Sequence, residues 1–303
     1  MKIKRYNNLS IKKQEGITGY LFITPFLIGF IVFQGIPFIS AMFISMTDIR
    51  FSTNFSKIKF IGFDNFIRLV SDQTFIQSFG RTIFYSVLYV PSIIILGLLF
   101  ACIVNGKIFA RNFIRTSIFM PYVSNMVAIA IIWSLLLDYK DGPVNMFLKS
   151  IGVENPPMWL LGNMGDVIPT IVIIVCWQAI GFYMITFLAA LQGIPSTLLE
   201  AADLDGASRF QKFYHITLPI ISPTTFFLLI NAILSSFHNF GIIRVLTKGG
   251  PGSSSRVLSI NIYEEAFNYS RIGYATSQSM VLLLLILAIT LFQWKYQKKW
   301  VNY

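Results

Sequence analysis

Charge is what this sequence lacks most. Of its 303 residues only 12% are Asp, Glu, Lys or Arg, where soluble domains carry roughly 25%. A water-soluble fold of this length would be short of charge for its surface. Histidine and cysteine are scarce too, with two of each. Cys102 and Cys176 both fall in apolar runs, so they read as packing residues rather than a disulfide. No Cys-x-x-Cys or His-Glu-x-x-His spacing offers a metal site. No Gly-x-x-x-x-Gly-Lys-Ser/Thr loop is present to cradle nucleotide phosphates. No cofactor, metal or nucleic-acid partner is expected, and the chain is not expected to be an enzyme.

What is present is hydrophobic: 55% of the residues, 29 of them Phe. Six charge-free runs, 16–47, 82–106, 116–137, 167–199, 213–243 and 272–294, hold 32, 25, 22, 33, 31 and 23 residues. A bilayer crossing needs about 20 apolar residues. The expectation is an all-α polytopic membrane protein with six spans: 19–46, 79–104, 118–137, 167–191, 219–240 and 274–294. Around the 19–294 membrane domain, 1–18 and 295–303 read as tails. The first apolar run is too long for a signal-peptide core and reads as a retained helix. Pro25 and Pro37 should kink it, and Pro91 and Pro121 fall in spans two and three.

The net charge of +11 gathers at helix ends. Lys2, Lys4, Arg5, Lys12 and Lys13 precede the first span; Lys107, Arg111 and Arg115 follow the second; Lys295, Lys298 and Lys299 follow the last. The tails and even loops together hold 13 basic and 4 acidic residues, against 11 and 9 on the other side. The positive-inside tendency then places both termini in the cytoplasm. Loop one, 47–75, should carry a short amphipathic element at the outer interface. Loop three, 138–166, with Gly142-Pro143, Pro156-Pro157 and Trp159, should be an ordered turn-rich segment, and loop five, 241–271, is also external.

No Asp, Glu, Lys or Arg lies deep in a span, which disfavours a proton-coupled carrier and leaves little for membrane-enzyme chemistry. His215 and His238 read as locally satisfied. Neutral polar and aromatic residues do occur there: Ser124, Asn125, Trp133, Trp177, Gln178, Tyr183, Asn231, Ser235, Ser236 and His238. Amides and hydroxyls suit sugar hydroxyls, and rings suit the C–H faces of a polyol. Of these, Asn125, Trp177, Gln178, Tyr183, Asn231, Ser235 and His238 are the candidate pathway. Helix–helix hydrogen bonding would account for any one of them equally well.

The cytoplasmic loop 192–218 is the most informative stretch. Leu198–Ala207 reads as a short helix with a bend at Gly206, and Arg209–Ile216 as a second one, halted before Leu218-Pro219. Phe210, Phe213 and Tyr214 give the second an apolar edge. Such an elbow suits docking into a groove on a cytoplasmic partner, or capping of the bundle. The acidic trio Glu200, Asp203 and Asp205 lacks the longer spacing of a metal-dependent phosphotransferase.

The run Glu200-Ala201-Ala202-x-x-Asp205-Gly206-Ala207, continued nine residues past Gly206 by Ile216-x-Leu218-Pro219, resembles the EAA signature of ABC-importer permeases. Further pieces over nearly the whole chain resemble the sugar, maltose and glycerol-phosphate branch of that family. They are Gly62-x-x-Asn65-Phe66, Arg115-Thr116 with Pro121-Tyr122, Gly142-x-x-Asn145, Trp177-Gln178-x-x-Gly181-Phe182, Leu191-Gln192-x-Ile194-Pro195, Leu246-Thr247-x-Gly249-Gly250-Pro251, and Tyr263-x-x-Ala266-Phe267 before Gly273-Tyr274-Ala275. Arg81 departs from the pattern, where a small polar residue is expected; it reads as an interfacial anchor.

The resemblance implies the type I ABC importer permease (MetI-like) fold in a bacterial cell membrane. It implies two cytoplasmic ATPase subunits, touched by Glu200, Ala201, Ala202, Asp205, Gly206 and Ala207. It also implies a second, similar permease chain as mate, and an extracellular solute-binding protein contacting Gly249, Gly250 and Pro251. The solute would be a mono- or oligosaccharide, or else glycerol-3-phosphate. A self-sufficient secondary carrier, a membrane enzyme and a non-transporting scaffold are the rival readings.

Overall fold

A computed structural model describes residues 10–51, 58–106, 109–298 and 300. Of the basic residues that orient the chain, Lys2, Lys4, Arg5, Lys107 and Lys299 lie outside the described residues. Among the described residues the secondary structure is helical, apart from an isolated bridge between Thr47 and Phe60. Contacts divide the chain into two compact units: Met1–Arg68 with Glu265–Met280, and Leu69–Glu264 with Val281–Tyr303.

In the first unit, α1 spans Ile11–Ile44. Its mid-section, Ile31–Gly35, widens into a π-type turn, so the helix continues toward Pro37 without a sharp break. Its apolar side chains, Phe22, Phe26 and Phe33 among them, are exposed within the chain. The expected amphipathic element is α2, Asp64–Ser71. It is pinned by Asn65, whose buried amide donates to the carbonyls of Ser45 (2.8 Å) and Thr47 (2.9 Å). Arg68 lies over the Tyr274 ring at 4.8 Å, and Arg271 pairs with the buried Glu265. The last helix, α13, Ile272–Gln297, begins in this unit.

In the second unit, α3 (Gln73–Asn105) lies along α7 (Met164–Gln192), the most enclosed of the long helices. Tyr85, Tyr89 and Ile93 from α3 and Ile171, Ile174, Tyr183 and Phe187 from α7 form the centre of the core. A helix buried against others rather than against water need not be amphipathic, and α7 is apolar nearly all round. At Gly181 a Cβ would sit 2.6 Å from the Cα of Phe119, so the missing side chain is what lets the backbones meet.

The third expected span is not one helix. α4 (Arg111–Val123) and α5 (Met126–Leu136) meet at 100°. Pro121 withholds one N–H from the last turn of α4, and Asn125 restarts the chain as α5 by accepting from the amides of Val127 and Ala128 at 2.9 and 3.2 Å. The fifth expected span is likewise the second arm of a bend: α9 (Arg209–Ile220) and α10 (Ser222–His238) meet at 67°. The helix does not halt before Leu218-Pro219 as the sequence suggests. A π-type turn at Phe213–Thr217 leads into Pro219, and the break falls at Ile221, two residues before Pro223.

Among the described residues four helices, α1, α3, α7 and α13, are long and apolar enough to cross a bilayer, or six spans in all if each bent pair counts as one. Loop three holds α6, Pro143–Ser150. Fully buried Asn145 organises that loop, donating to the carbonyls of Tyr139 and Pro157 and accepting from the Trp159 indole at 2.7 Å. Loop five is no plain loop: it contains α11 (Phe240–Thr247) and α12 (Leu258–Tyr263), followed by a π-type turn.

Candidate functional site

The first candidate region is the elbow after α7. Helix α8, Ser196–Leu204, holds the favourable Leu, Glu and Ala run. It ends where Gly206 takes φ +74°, a backbone that only glycine adopts without strain, with nothing near its absent side chain. Ser208 then starts α9 through a reciprocal capping pair: its hydroxyl accepts from the Gln211 amide, and the Gln211 side chain accepts from the Ser208 amide at 2.7 Å. Lys212 and Asp203 close the angle with a 2.5 Å ion pair. Being exposed on the Asp203 side, that pair guides geometry more than it stabilises.

Glu200, Ala201, Asp205 and Gly206 are exposed on this elbow and Ala207 is half-buried. Ala202 is the exception among the predicted contact residues. It is buried, and its carbonyl accepts from the Ala207 amide, so it supports the turn from inside. Leu204 is 91% exposed and Phe210 76% exposed, with Phe210 stacked on Tyr214. A cavity of about 300 Å³ opens between the two short helices, lined by Asp205, Gly206, Gln211, Lys212 and His215. Leu204 has no distinguishing sequence neighbour; its outward aim follows from where α8 ends.

The second region is a cleft of about 240 Å³ in the second unit. Four of the seven candidate pathway residues meet there: Gln178 and Tyr183 from α7, Asn231 and Ser235 from α10. The Tyr183 hydroxyl donates to the Asn231 side-chain carbonyl at 3.2 Å. Sequence reasoning missed Tyr89, Tyr122 and Asn239, which complete the wall. Asn239 donates to the Tyr85 hydroxyl at 2.9 Å, and Tyr85 stacks on Tyr89. The lining combines hydroxyls, amides and aromatic rings with the apolar Met126, Val175, Ala179 and Ile242, and carries no formal charge.

Three candidates are not on that cleft. Trp177, one residue from Gln178, faces away: it sits edge-on to Trp133 at 5.5 Å and lines an apolar hollow with Leu96 and Phe100. A 100° step between helix neighbours sends adjacent side chains to different faces. Asn125 is exposed and occupied as the cap of α5. His238 is exposed, its Nδ1 2.7 Å from the Leu234 carbonyl.

The glycine segment after α11 is an internally bonded turn. The Gly250 amide donates to the Thr247 carbonyl at 2.9 Å, and the Ser255 hydroxyl, 2.6 Å from that of Thr247, donates to the Gly250 carbonyl. Gly249 has φ +89° and is buried, with the Ile260 side chain close behind it, so it shapes the turn rather than its surface. Gly250 and Pro251 line a separate cavity with Tyr139 and Leu160. Among the described residues no group of three or more His, Cys, Asp or Glu is arranged to hold a metal ion.

The family model of the binding-protein-dependent transport system inner membrane component matches residues 93–299. The probable ABC transporter permease protein YesP of Bacillus subtilis (strain 168) is 36% identical over 298 residues, 97% of this chain and 94% of that protein. The sn-glycerol-3-phosphate transport system permease protein UgpA of Agrobacterium fabrum is 32% identical, covering 95% of this chain and 97% of its own. Among solved structures, a chain of a bacterial alginate ABC transporter in complex with alginate pentasaccharide-bound periplasmic protein superposes with a TM-score of 0.81. It covers 94% of this chain and 96% of that one at 26% identity. Bent helix pairs, the exposed elbow and the neutral cleft thus sit in a chain similar along nearly its whole length to transport permeases. The protein belongs to the binding-protein-dependent transport system inner membrane component family and is the membrane-spanning permease subunit of an ABC importer.

Proposed function

We propose that this subunit forms half of a pore for a mono- or oligosaccharide, delivered from outside by a solute-binding protein and driven by two cytoplasmic ATPase subunits. The observation that carries this reading is the elbow. Leu204, Phe210 and Tyr214 project from a stiff turn whose tip at Gly206 is open. Leu204 and Phe210, held outward beside a glycine turn, suit a partner's groove. Glu200, Ala201, Asp205, Gly206 and Ala207 form the contact, with Ala202 as its internal brace.

In this reading each bent pair is one span, six in total. Both termini and the elbow are cytoplasmic, and a similar but distinct permease chain completes the pore. Closure of the ATPases on ATP moves α8 as a rigid lever on α7 and α10, and the two packings of the bundle alternate access to the cleft. Gly250 and Pro251 lie on the outer side toward the binding protein. ATP hydrolysis takes place on the separate subunits, which accords with the absence of a phosphate-binding loop in this chain.

The saccharide assignment is supported by the cleft lining and by the solved alginate transporter, whose periplasmic protein carries an alginate pentasaccharide. A second reading, glycerol-3-phosphate import, is favoured by the likeness to UgpA. The test is uptake into proteoliposomes holding both permeases and the ATPase, with the binding protein outside. ATP-dependent saccharide uptake, absent when this chain is reconstituted alone, is expected. Uptake by this chain alone without ATP would instead establish a self-sufficient carrier.

A further inference from the structure

The mechanism above leaves one cluster unused. Glu264 is shared by two arginines: it pairs with Arg256 and lies 3.6 Å from Arg244. All three are largely enclosed, at 12%, 16% and 28% side-chain exposure. Arg244 also lies over the Tyr263 ring at 4.4 Å. Arg81 joins them from α3. Its neighbour Thr82 accepts from the Leu258 amide at 2.8 Å, which fixes this turn of α3 beside the segment carrying Arg256, and Arg81 feels the charge of Arg256. One glutamate therefore answers two guanidinium groups, with a third, that of Arg81, beside them.

Arg81 is the group without an answer. Its Nη2 donates to the Gln77 side chain at 3.2 Å, but Nε and Nη1 are buried with no acceptor. A guanidinium offers five donors in a planar fork that matches carboxylate and phosphate oxygens. Holding it half-buried beside a second arginine is unfavourable unless an anion enters. An interfacial anchor, the role its sequence position suggests, would keep these nitrogens in water.

Position links the cluster to the cleft. Arg81, Tyr85 and Tyr89 recur at four-residue spacing and lie along one stripe of α3. Tyr89 lines the cleft, and Tyr85 holds Asn239, which lines it too. Arg244 follows Asn239 by five residues on α11. The neutral wall would receive the hydroxyls of a solute and the arginines its charge.

We propose that Arg81, with Arg244 and Arg256, is an anion-receiving site at the end of the cleft, and that the solute is an acidic polyol, bearing carboxylate or phosphate, rather than a neutral sugar. This rests on the transport reading above and narrows its substrate.

The test uses the complete transporter in proteoliposomes with its binding protein. Four solute sets are offered: uronic acid oligosaccharides, their methyl esters, glycerol-3-phosphate and neutral oligosaccharides. Uptake of an acidic set with at least tenfold preference over the uncharged counterpart is expected, and which acidic set is taken separates carboxylate from phosphate. Arg81→Asn should raise the KM for that solute at least tenfold in complexes of unchanged elution volume. Arg81→Lys should recover part of the loss, since a point charge replaces the fork. Should Arg81→Asn fail to assemble, Arg81→Lys alone is read, with a KM increase expected and an unchanged KM counting against the site. Uptake of neutral sugars or esters alone overturns the anion site and leaves the transport reading standing. No ATP-dependent uptake of any set removes both.

Discussion

The elbow and the cleft are opposite kinds of site. The elbow is contiguous: sixteen residues from Ser196 to Gln211 bring two helix ends, a glycine turn and a capping pair together through local rules alone. Its large apolar side chains point outward, uncovered by the other described residues. The cleft is assembled from α3, α4, α5, α7, α10, the turn at Asn239 and α11, with lining residues up to 153 positions apart, from Tyr89 to Ile242, and its polar groups already bond to one another. In the proposed reading the locally coded site meets a partner and the tertiary one a small solute. The first should fail by losing its partner, the second by losing affinity.

Gly206→Arg should have the largest effect. It forces a residue with a Cβ into φ +74° and places a long charged side chain at the open tip. Solute-stimulated ATPase activity of the assembled complex should fall at least a hundredfold with insertion and assembly retained; unchanged stimulation would remove the elbow from the coupling path. Gly181→Leu comes next, because the new side chain must displace the Phe119 backbone. Overpacking of this kind costs about 1–3 kcal/mol, read as a lower melting temperature of the detergent-solubilised complex. It would mark the α4–α7 contact as structural rather than as part of either site.

Within the cleft, Asn231→Ala strips Tyr183 of its acceptor and the wall of an amide. Loss of one such hydrogen bond is worth about 0.5–1.5 kcal/mol, so the uptake KM should rise a few-fold, while Trp177→Ala and His238→Ala, facing elsewhere, should leave it within twofold. Equal losses in all three would dissolve the distinction between cleft and surroundings. The smallest change expected is in energetics of coupling ions: at fixed ATP, collapse of proton or sodium gradients should leave the uptake rate unaltered.

The same contrast explains what could be read from the sequence. The two short helices and the bend of the elbow were legible because capping, helix preference and the glycine turn act within a few residues; the burial of Ala202 and the continuation of α9 through Pro219 were not, since both depend on what packs around them. The count of apolar runs foresaw the long helices but not the bends. Asn125 looked like a pathway amide, yet caps α5, since whether an Asn caps or lines depends on where the helix restarts. Gln178 and Trp177 were indistinguishable as neighbours, and only the packing of α7 against α3, α4 and α10 separates them. Arg81 was noticed as an exception to a pattern, but its enclosure depends on the fold of loop five, where helices α11 and α12 were not foreseen.

The most direct test places a single cysteine at position 204 by Leu204→Cys in a background with Cys102→Ala and Cys176→Ala, and asks which side of the membrane it meets. The account predicts that an impermeant maleimide fails to label it in intact cells. It also predicts that a short bifunctional cross-linker joins it to the ATPase subunit in inverted vesicles. Labelling from outside, with no cross-link to the ATPase, would contradict it.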